Sequence, residues 1–384
     1  MVEKKLGGAG LRGQSAGETA LCTVGKEGSG LTYRGYGIDD LAANAQFEEV
    51  AYMLLYGELP SKAQLAAYIN KLTAMRGLPD NLKAVLELIP KDTHPMDVMR
   101  TGCSMLGNLE PEKSFAEQQE AADRLLAALP AIICYWYRFT HDGVRIDTDT
   151  GEASIGGHFL KMLRGDTPSE MHRQVMNCSL ILYAEHEFNA STFASRVCAA
   201  TLSDMYSCVT AAIGTLRGPL HGGANEAAME LIEKFKTPEE AVTGILAMLE
   251  SKATIMGFGH AIYRTHDPRN DIIKEWARKL ADEAGDTTLF DISVAVAKTM
   301  WDEKKLFPNA DFFHASAYNY MGIPTKIFTP IFVMSRVTGW AAHVMEQRSN
   351  NRLIRPSADY IGPENRAYTS IDQRGQRVFV QAVN

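Results

Sequence analysis

Along most of the chain, apolar positions recur at three- and four-residue spacing behind polar start signals, the mark of amphipathic helices packed on a core. Ser61-Lys62-Ala63-Gln64 has capping-box order, and Leu65, Tyr68, Ile69, Leu72 and Met75 follow at helical spacing until Gly77. Thr167-Pro168-Ser169-Glu170 and Thr237-Pro238-Glu239-Glu240 predict two helices with proline at the first helical position. Asp267-Pro268 and Thr329-Pro330 predict two further starts. Extended patterning is confined to the N-terminal part, where Thr19–Val24 and Leu31–Tyr33, with glycines between, predict one small hairpin. The expected fold class is mainly α. Gly218-Pro219 with Gly222-Gly223, and later Gly322-Ile323-Pro324, break the helical pattern. They bracket roughly 100 residues, a size that suits an inserted second domain.

Composition narrows the class. The 384 residues are 46% hydrophobic and 22% charged, enough to bury a large core in two or three domains, and 31 Gly with 15 Pro is ordinary usage. The net charge is −7 and no Lys/Arg block exceeds two residues, so nucleic-acid binding is not expected. Any small anion would have to be held by a few well-placed Arg and His side chains. The longest apolar run, Leu125–Tyr137, is broken by Pro130 and is too short for a bilayer span, which takes about 18 residues. Met1–Leu6 is charged with no apolar stretch behind it, which predicts no signal peptide and a cytoplasmic protein. Cys22, Cys103, Cys134, Cys178, Cys198 and Cys208 form no CxxC pair and are expected as buried, reduced thiols. His186-Glu187 lacks the second His of a zinc motif, so no metal is expected. Gly8–Gly13 matches GxGxxG formally but follows no strand, and Gly25–Gly30 lacks the GK[ST] ending of a phosphate-binding loop.

Three stretches at breaks in the helical pattern carry the candidate chemistry. In Arg217–Asn225 a histidine, His221, sits among glycines before a helical run from Glu226; a ligand could approach the backbone there, and the helix dipole would favour neutral imidazole. A histidine in a glycine-rich hinge fits the same pattern. In Met256–Arg269 two glycines precede His260, and Arg269 falls in the first turn of the next helix, where a guanidinium can meet an anion; an ordinary loop with a solvated Arg fits too. In Phe307–Phe313 Asp311 stands among apolar and aromatic residues, either as a base of raised pKa or, like Asn309, as the cap of the helix that runs to Met321. Phe332, Arg336, Trp340 and His343 share one side of a later helix, so Arg336 calls for an anionic partner unless it lies at the surface. Arg355-Pro356 adds a cation just beyond that helix, and His186 lies between two helical runs.

In order and spacing, Arg217–Asn225, Gly257–Arg269 and Pro308–Asp311 resemble the signature stretches of the citrate synthase family. So do Leu31–Tyr36, Phe47–Pro60, His186–Ser191 and Ser335–Arg355, and the resemblance covers nearly the whole chain from about Thr19. Within the family, His94–Arg100, Ser154–Phe159 and Ile354–Pro363 look most like the 2-methylcitrate synthases, the branch that uses propionyl-CoA. The resemblance implies a homodimer of two-domain, mainly α chains. The large, dimer-forming domain would comprise residues 1–220 and 321–384, and the inserted small domain residues 221–320. It implies that His221, His260 and Asp311 are catalytic, that His186, Arg269 and Arg336 bind oxaloacetate, and that Arg355 reaches the partner's active site. Thr254, Ile255, Met256, Gly257 and Phe258 would lie against coenzyme A. The implied reaction is condensation of propionyl-CoA, oxaloacetate and water to 2-methylcitrate and CoA. It needs no tightly bound cofactor, and acetyl-CoA is accepted as well; ordinary citrate synthesis from acetyl-CoA is the alternative. A chelator-sensitive hydrolase built on the ten histidines and a non-catalytic helical scaffold are the readings from other classes, and complete motifs with no metal-ligand spacing argue against both.

Overall fold

The computed structural model describes residues 11, 13–26 and 30–376. The Met1–Leu6 stretch, nearly all of Gly8–Gly13 and the middle of Gly25–Gly30 lie outside the described residues. Three short antiparallel strands, β1 (Cys22–Lys26), β2 (Gly30–Tyr33) and β3 (Tyr36–Gly37), form one sheet in that order, with Cys22 opposite Tyr33. The predicted hairpin is thus present, extended by a third strand.

The remaining regular structure is helical. α1 (Ile38–Asn44), α2 (Phe47–Tyr56), α3 (Lys62–Ala74), α4 (Asp80–Leu88) and α5 (Pro95–Leu109) lead to the long α6 (Gln118–Tyr137). Then come α7 (Ile155–Arg164), α8 (Glu170–Tyr183), α9 (Ala190–Ala200) and α10 (Met205–Leu216). The chain continues through α11 (Ala224–Ile232), α12 (Pro238–Glu250), α13 (Pro268–Ala284), α14 (Thr288–Lys304), α15 (Ala310–Tyr320) and α16 (Phe328–Ser349).

The start signals mostly act as the sequence suggests. Ser61 and Gln64 close a reciprocal capping box on α3, Thr237 caps α12 with Pro238 next, and Asp267 caps α13 with Pro268 next. Three starts differ. α8 opens at Glu170 because Ser169 supplies the cap, accepting from the His172 N–H, and this leaves Pro168 before the helix. α16 opens at Phe328 after a short 3₁₀ turn, so Pro330 falls within the first turn, where its missing N–H leaves no bond unmade. α11 opens at Ala224, ahead of Glu226. Pro130 lies inside α6 without ending it. The helix-interior proline costs about 3 kcal/mol. Against it stand Leu125, Leu126, Leu129, Ile132 and Ile133, all fully buried and each worth about 1.5–3 kcal/mol.

α16 packs against α2, α6, α8, α9 and α10, while α15 packs against α11, α13 and α14, and α12 covers α14. Every residue of α16 from Phe328 to Val344 is buried, so the side shared by Phe332, Arg336, Trp340 and His343 is one face of a helix buried all round. A helix buried on all faces carries its polar side chains inward with it, and Arg336 and His343 must find partners in the interior. All six cysteines are unpaired; five are buried and Cys198 is half-buried. Among the described residues no helix is long and apolar enough to cross a membrane. Beyond α16 the chain runs over the surface with Leu353, Tyr360, Ile361, Tyr368 and Ile371 exposed.

Candidate active site

Two loops distant in sequence, the one between α12 and α13 and the one between α14 and α15, are laced together by their backbones. The Gly259 N–H donates to the Phe307 carbonyl (2.8 Å), the Asn309 N–H to the Gly257 carbonyl (2.9 Å) and Asn309 Nδ2 to the Gly259 carbonyl (3.1 Å). Phe258 and Pro308 form an isolated antiparallel bridge. Gly257 has φ +89°, and a Cβ there would stand 3.0 Å from the Phe312 ring, so the crossing requires glycine. The end of the first loop is tied in through Asp267. One carboxylate oxygen accepts from Arg269 Nε (3.0 Å); the other accepts from Arg269 Nη2 (2.8 Å) and from the Ala310 N–H (3.0 Å). His260, Arg269 and Asp311 are thereby fixed in a single frame.

Asn309 and Asp311 divide the two roles that the sequence left open. The Asn309 side chain caps α15, accepting from the Asp311 N–H at 3.1 Å. The Asp311 carboxylate is left free of capping and accepts from the Tyr183 hydroxyl at 2.6 Å. Burial pushes its pKa up from the ordinary carboxylate value; Tyr183, Arg269 and Arg336 hold it back, and Asp267 adds to the rise. Such a raised pKa makes the ionised carboxylate a stronger base than a solvated one.

The imidazoles around it are held neutral. His221 is lowered to about 4, first by burial and then by Arg336, rather than by the helix dipole alone. The Ser191 N–H donates to its Nε2 at 3.2 Å, and the Ser191 hydroxyl, which accepts from Trp340 Nε1 at 3.1 Å, lies 2.8 Å from the same nitrogen. With Nε2 accepting, these partners assign the proton to Nδ1. His260 is also lowered to about 4, by burial and then Arg269. Its Nδ1 accepts from the N–H groups of Ile262 (3.1 Å) and Tyr263 (3.2 Å), which assigns its proton to Nε2. His186, buried between α8 and α9, sits 3.1 Å from the Tyr263 hydroxyl through Nε2, and its ring centre is 5.1 Å from that of His260. Burial, with Arg269, His260, Arg336 and His221 around it, drives its pKa well below the usual value. Each neutral ring can therefore donate one hydrogen bond without carrying charge.

The cations differ sharply. Arg336 is 1% exposed, its Nε donates to the Tyr183 carbonyl at 2.6 Å, and its guanidinium lies 4.5 Å over the Phe332 ring. It forms no ion pair among the described residues. Glu185, the carboxylate nearest in influence, is engaged by His343 Nε2 (2.7 Å) and the Glu187 N–H (2.7 Å). A buried guanidinium in that condition is costly until an anion reaches it. Arg269 is not free in the way the sequence suggested, because Asp267 takes two of its nitrogens and raises its pKa. Arg355 is exposed on the segment beyond α16 and is not brought to the cluster within one chain. The 254–258 stretch runs inward from exposed Thr254 through half-buried Ile255 and Met256 to buried Gly257 and half-buried Phe258. Surface hollows of about 370 and 530 Å³, lined by Glu112 and Tyr206 among others, contain none of these residues.

Sequence reasoning missed Tyr183, Ser191 and Asp267. Asp267 announced itself only as a cap before proline, and its bond to Ala310 connects residues 43 apart. Tyr183 looks like one more apolar position of α8.

Comparison with known proteins follows this geometry. The family model described as citrate synthase, C-terminal domain, matches residues 10–357. The chain is 71% identical over 371 residues to 2-methylcitrate synthase of Shewanella oneidensis, covering 97% of this chain and 99% of that one. It is 39% identical over 367 residues to the citrate/2-methylcitrate synthase of Bacillus subtilis, with 94% and 98% covered. Among solved structures, citrate synthase of Thermoplasma acidophilum in ternary complex with carboxymethyl coenzyme A and oxaloacetate superposes with a TM-score of 0.88 at 32% identity, covering 95% of this chain and 98% of that one.

Proposed function

The chain belongs to the citrate synthase family, and from that premise we propose that it condenses propionyl-CoA with oxaloacetate and water, giving 2-methylcitrate and free coenzyme A. The choice of acyl group rests on the 71% likeness to the Shewanella enzyme. The observation that carries the chemistry is Arg336, a buried guanidinium without a carboxylate, set near a base and neutral imidazoles.

In this reading Asp311 takes a proton from the carbon α to the thioester, and the Nδ1–H of His221 donates to the oxygen that gains charge. A neutral donor suits this step, because an imidazolium would draw the base into an ion pair. His260, with its proton on Nε2, donates to the ketone oxygen of oxaloacetate and passes the proton on as the carbon–carbon bond forms. Arg336 and the remaining nitrogen of Arg269 hold carboxylates, with His186 beside them, and so fix the face of attack. Water then hydrolyses the citryl-type thioester and releases CoA, with no metal or bound cofactor required.

Residues 221–320 would move as a small domain over the bound dicarboxylate, shutting out water until condensation is complete. Thr254–Phe258 would border the CoA. Two chains would pair, with Arg355 completing the neighbouring site; exposed Tyr360, Ile361, Tyr368 and Ile371 on the same segment favour a covered surface there. Work in the cytoplasm on propionate breakdown fits this reaction. One methylene discriminates by only about 1–3 kcal/mol, so acetyl-CoA is accepted as a slower substrate, in keeping with the double name of the Bacillus relative.

The test is CoA release from oxaloacetate with propionyl-CoA and acetyl-CoA in parallel, compared by kcat/KM. A preference for propionyl-CoA is expected. A preference for acetyl-CoA would make the reaction citrate synthesis, and release with neither would overturn the catalytic reading.

A further inference from the structure

Two aromatic side chains with no part in the scheme above stand directly behind the base. The Tyr183 hydroxyl donates to Asp311 Oδ1 at 2.6 Å, leaving Oδ2 as the oxygen able to reach a substrate proton. The Tyr183 ring is gripped on two sides: the His314 ring centre is 4.3 Å away at 34°, and that of Phe332 is 4.5 Å away at 45°. His314 lies one helical turn beyond Asp311 on α15 and is fully buried. Its Nδ1 lies 2.5 Å from the Ala310 carbonyl, which can only accept, so Nδ1 carries the proton and Nε2 is a bare acceptor. That Nε2 is buried and without a partner. A buried, unsatisfied acceptor costs free energy that an apolar side chain of similar size would not. The contact that places the ring against Tyr183 accounts for what such a residue does here.

We propose that His314 and Tyr183 form a positioning pair: the His314 ring fixes the Tyr183 phenol, and the phenol turns the Asp311 carboxylate so that Oδ2 faces the acyl carbon. This rests on the reading of Asp311 as the base. Neither residue touches substrate in this scheme; both act through the carboxylate. The charged and titratable groups facing Asp311 are Tyr183 from α8, Asp267 and Arg269 from the start of α13 and Arg336 from α16, while His314, on the same helix as Asp311, and Tyr318 face Tyr183. Of these, Tyr183 is the one that donates a hydrogen bond to the Asp311 carboxylate. Burial holds His314 neutral, lowered to about 3, so its charge does not change over the working range and its part is played by shape.

The experiment compares Tyr183→Phe, His314→Ala, His314→Phe and Asp311→Asn with the unaltered enzyme. It reads the pH profile of kcat and the primary isotope effect on kcat/KM with α-deuterated propionyl-CoA. Both readouts are independent of the fraction of each preparation that folds. Tyr183→Phe removes only the hydroxyl. The ionised base loses a donor, so the acid limb is expected to move up by about one pH unit. Proton abstraction slows, so kcat falls roughly 10- to 100-fold and the isotope effect rises. His314→Ala is expected to do the same in smaller measure, and the double variant to be no worse than Tyr183→Phe alone. His314→Phe, which keeps an aromatic face against Tyr183, should return both readouts toward the unaltered enzyme. An unchanged acid limb and isotope effect in both Tyr183→Phe and His314→Ala would overturn the pairing, as would a His314→Phe variant no better than His314→Ala. Asp311→Asn separates the two levels. Loss of turnover there with silent Tyr183 and His314 variants refutes the pairing alone, whereas near-normal turnover refutes the base itself.

Discussion

Replacing Arg336 by methionine should separate binding from folding. The guanidinium is 1% exposed, makes one direct hydrogen bond to the Tyr183 carbonyl at 2.6 Å and has no ion pair among the described residues. Methionine keeps an unbranched apolar stem beside Phe332 and deletes only the charged end. Two terms then oppose each other in the empty protein. Replacing buried ions by well-packed apolar groups is neutral or gains about 1–4 kcal/mol. The Tyr183 carbonyl, left without its donor, costs about 1–3 kcal/mol. These oppose each other, so the stability of the empty protein should change by less than about 3 kcal/mol. With oxaloacetate bound there is no such cancellation. Two hydrogen bonds to a charged group, at about 1.5–3 kcal/mol each, are lost together. At about 1.4 kcal/mol per factor of ten, the dicarboxylate should bind ~10²–10⁴-fold more weakly. The assay is urea unfolding with and without oxaloacetate, together with KM for each substrate. A concentration of 100 Kd stabilises the unaltered protein by about 2.7 kcal/mol. The same concentration should add less than about 0.5 kcal/mol to the variant. The KM for acyl-CoA should move far less than that for oxaloacetate. A variant that still responds to oxaloacetate, or whose empty form loses more than about 3 kcal/mol, would show that Arg336 is a structural ion and refute the reasoning.

Asp311→Asn should lower kcat by ~10²–10⁴ with folding intact, because Asn309 rather than Asp311 caps α15; circular dichroism and urea midpoints check the second half, and a destabilised variant would restore a capping role. Asn309→Ala should cost about 0.5–2 kcal/mol of stability as the cap is lost, and it should lower kcat as well, because Nδ2 no longer ties the His260 loop to the base. Asn309→Asp keeps an acceptor for the cap but not that donor, so it should spare stability and still reduce kcat; equal effects on both would argue against this division. His158, buried in the first turn of α7 with Nδ1 against Thr150 at 2.8 Å, is lowered to about 3 by burial and then Arg76. Between its ordinary value and that one the unfolded chain takes up a proton that the folded chain refuses, so stability falls as pH drops, by about 1.4 kcal/mol per unit from this group. His158→Gln should flatten the curve of urea midpoint against pH below 6.5 by that amount, and an unaltered slope would count against a neutral buried imidazole.

Much of this site could be read from order and residue type. His186, His221, His260, Arg269, Asp311 and Arg336 each stand at a break in the helical pattern or on a helix too apolar to leave a charge idle, and the structure gathers them. What could not be read were contacts between segments far apart in the chain. Asp267 looks like a cap because locally it is one, accepting from the Arg269 N–H, while its reach to Ala310 depends on how α13 and α15 pack. Arg269 is neither solvated nor wholly free for an anion, because the neighbouring Asp267 takes two of its nitrogens. The stripe on α16 seemed one-sided because periodicity records where apolar residues recur; burial on every side depends on seven other helices closing around it. Helix starts failed where two capping residues compete within three positions, as Thr167 and Ser169 do; the Ser169 hydroxyl takes the N–H that decides the start. Arg355 remains apart because a single chain contains only half of any arrangement that two chains would build.

The lacing of the two loops bears on how such a protein can vary. His260, Arg269 and Asp311 are joined by four backbone-anchored hydrogen bonds and by the Asp267 carboxylate, so they are inherited as a block. A change at Asp267 or Asn309 disturbs base, ketone donor and cation together, and lineages should find few tolerated replacements there. The walls supplied by α16, such as Phe332, lie outside that lacing and can be exchanged one side chain at a time. Substrate range is therefore free to drift in small steps around a reaction centre that changes only as a whole.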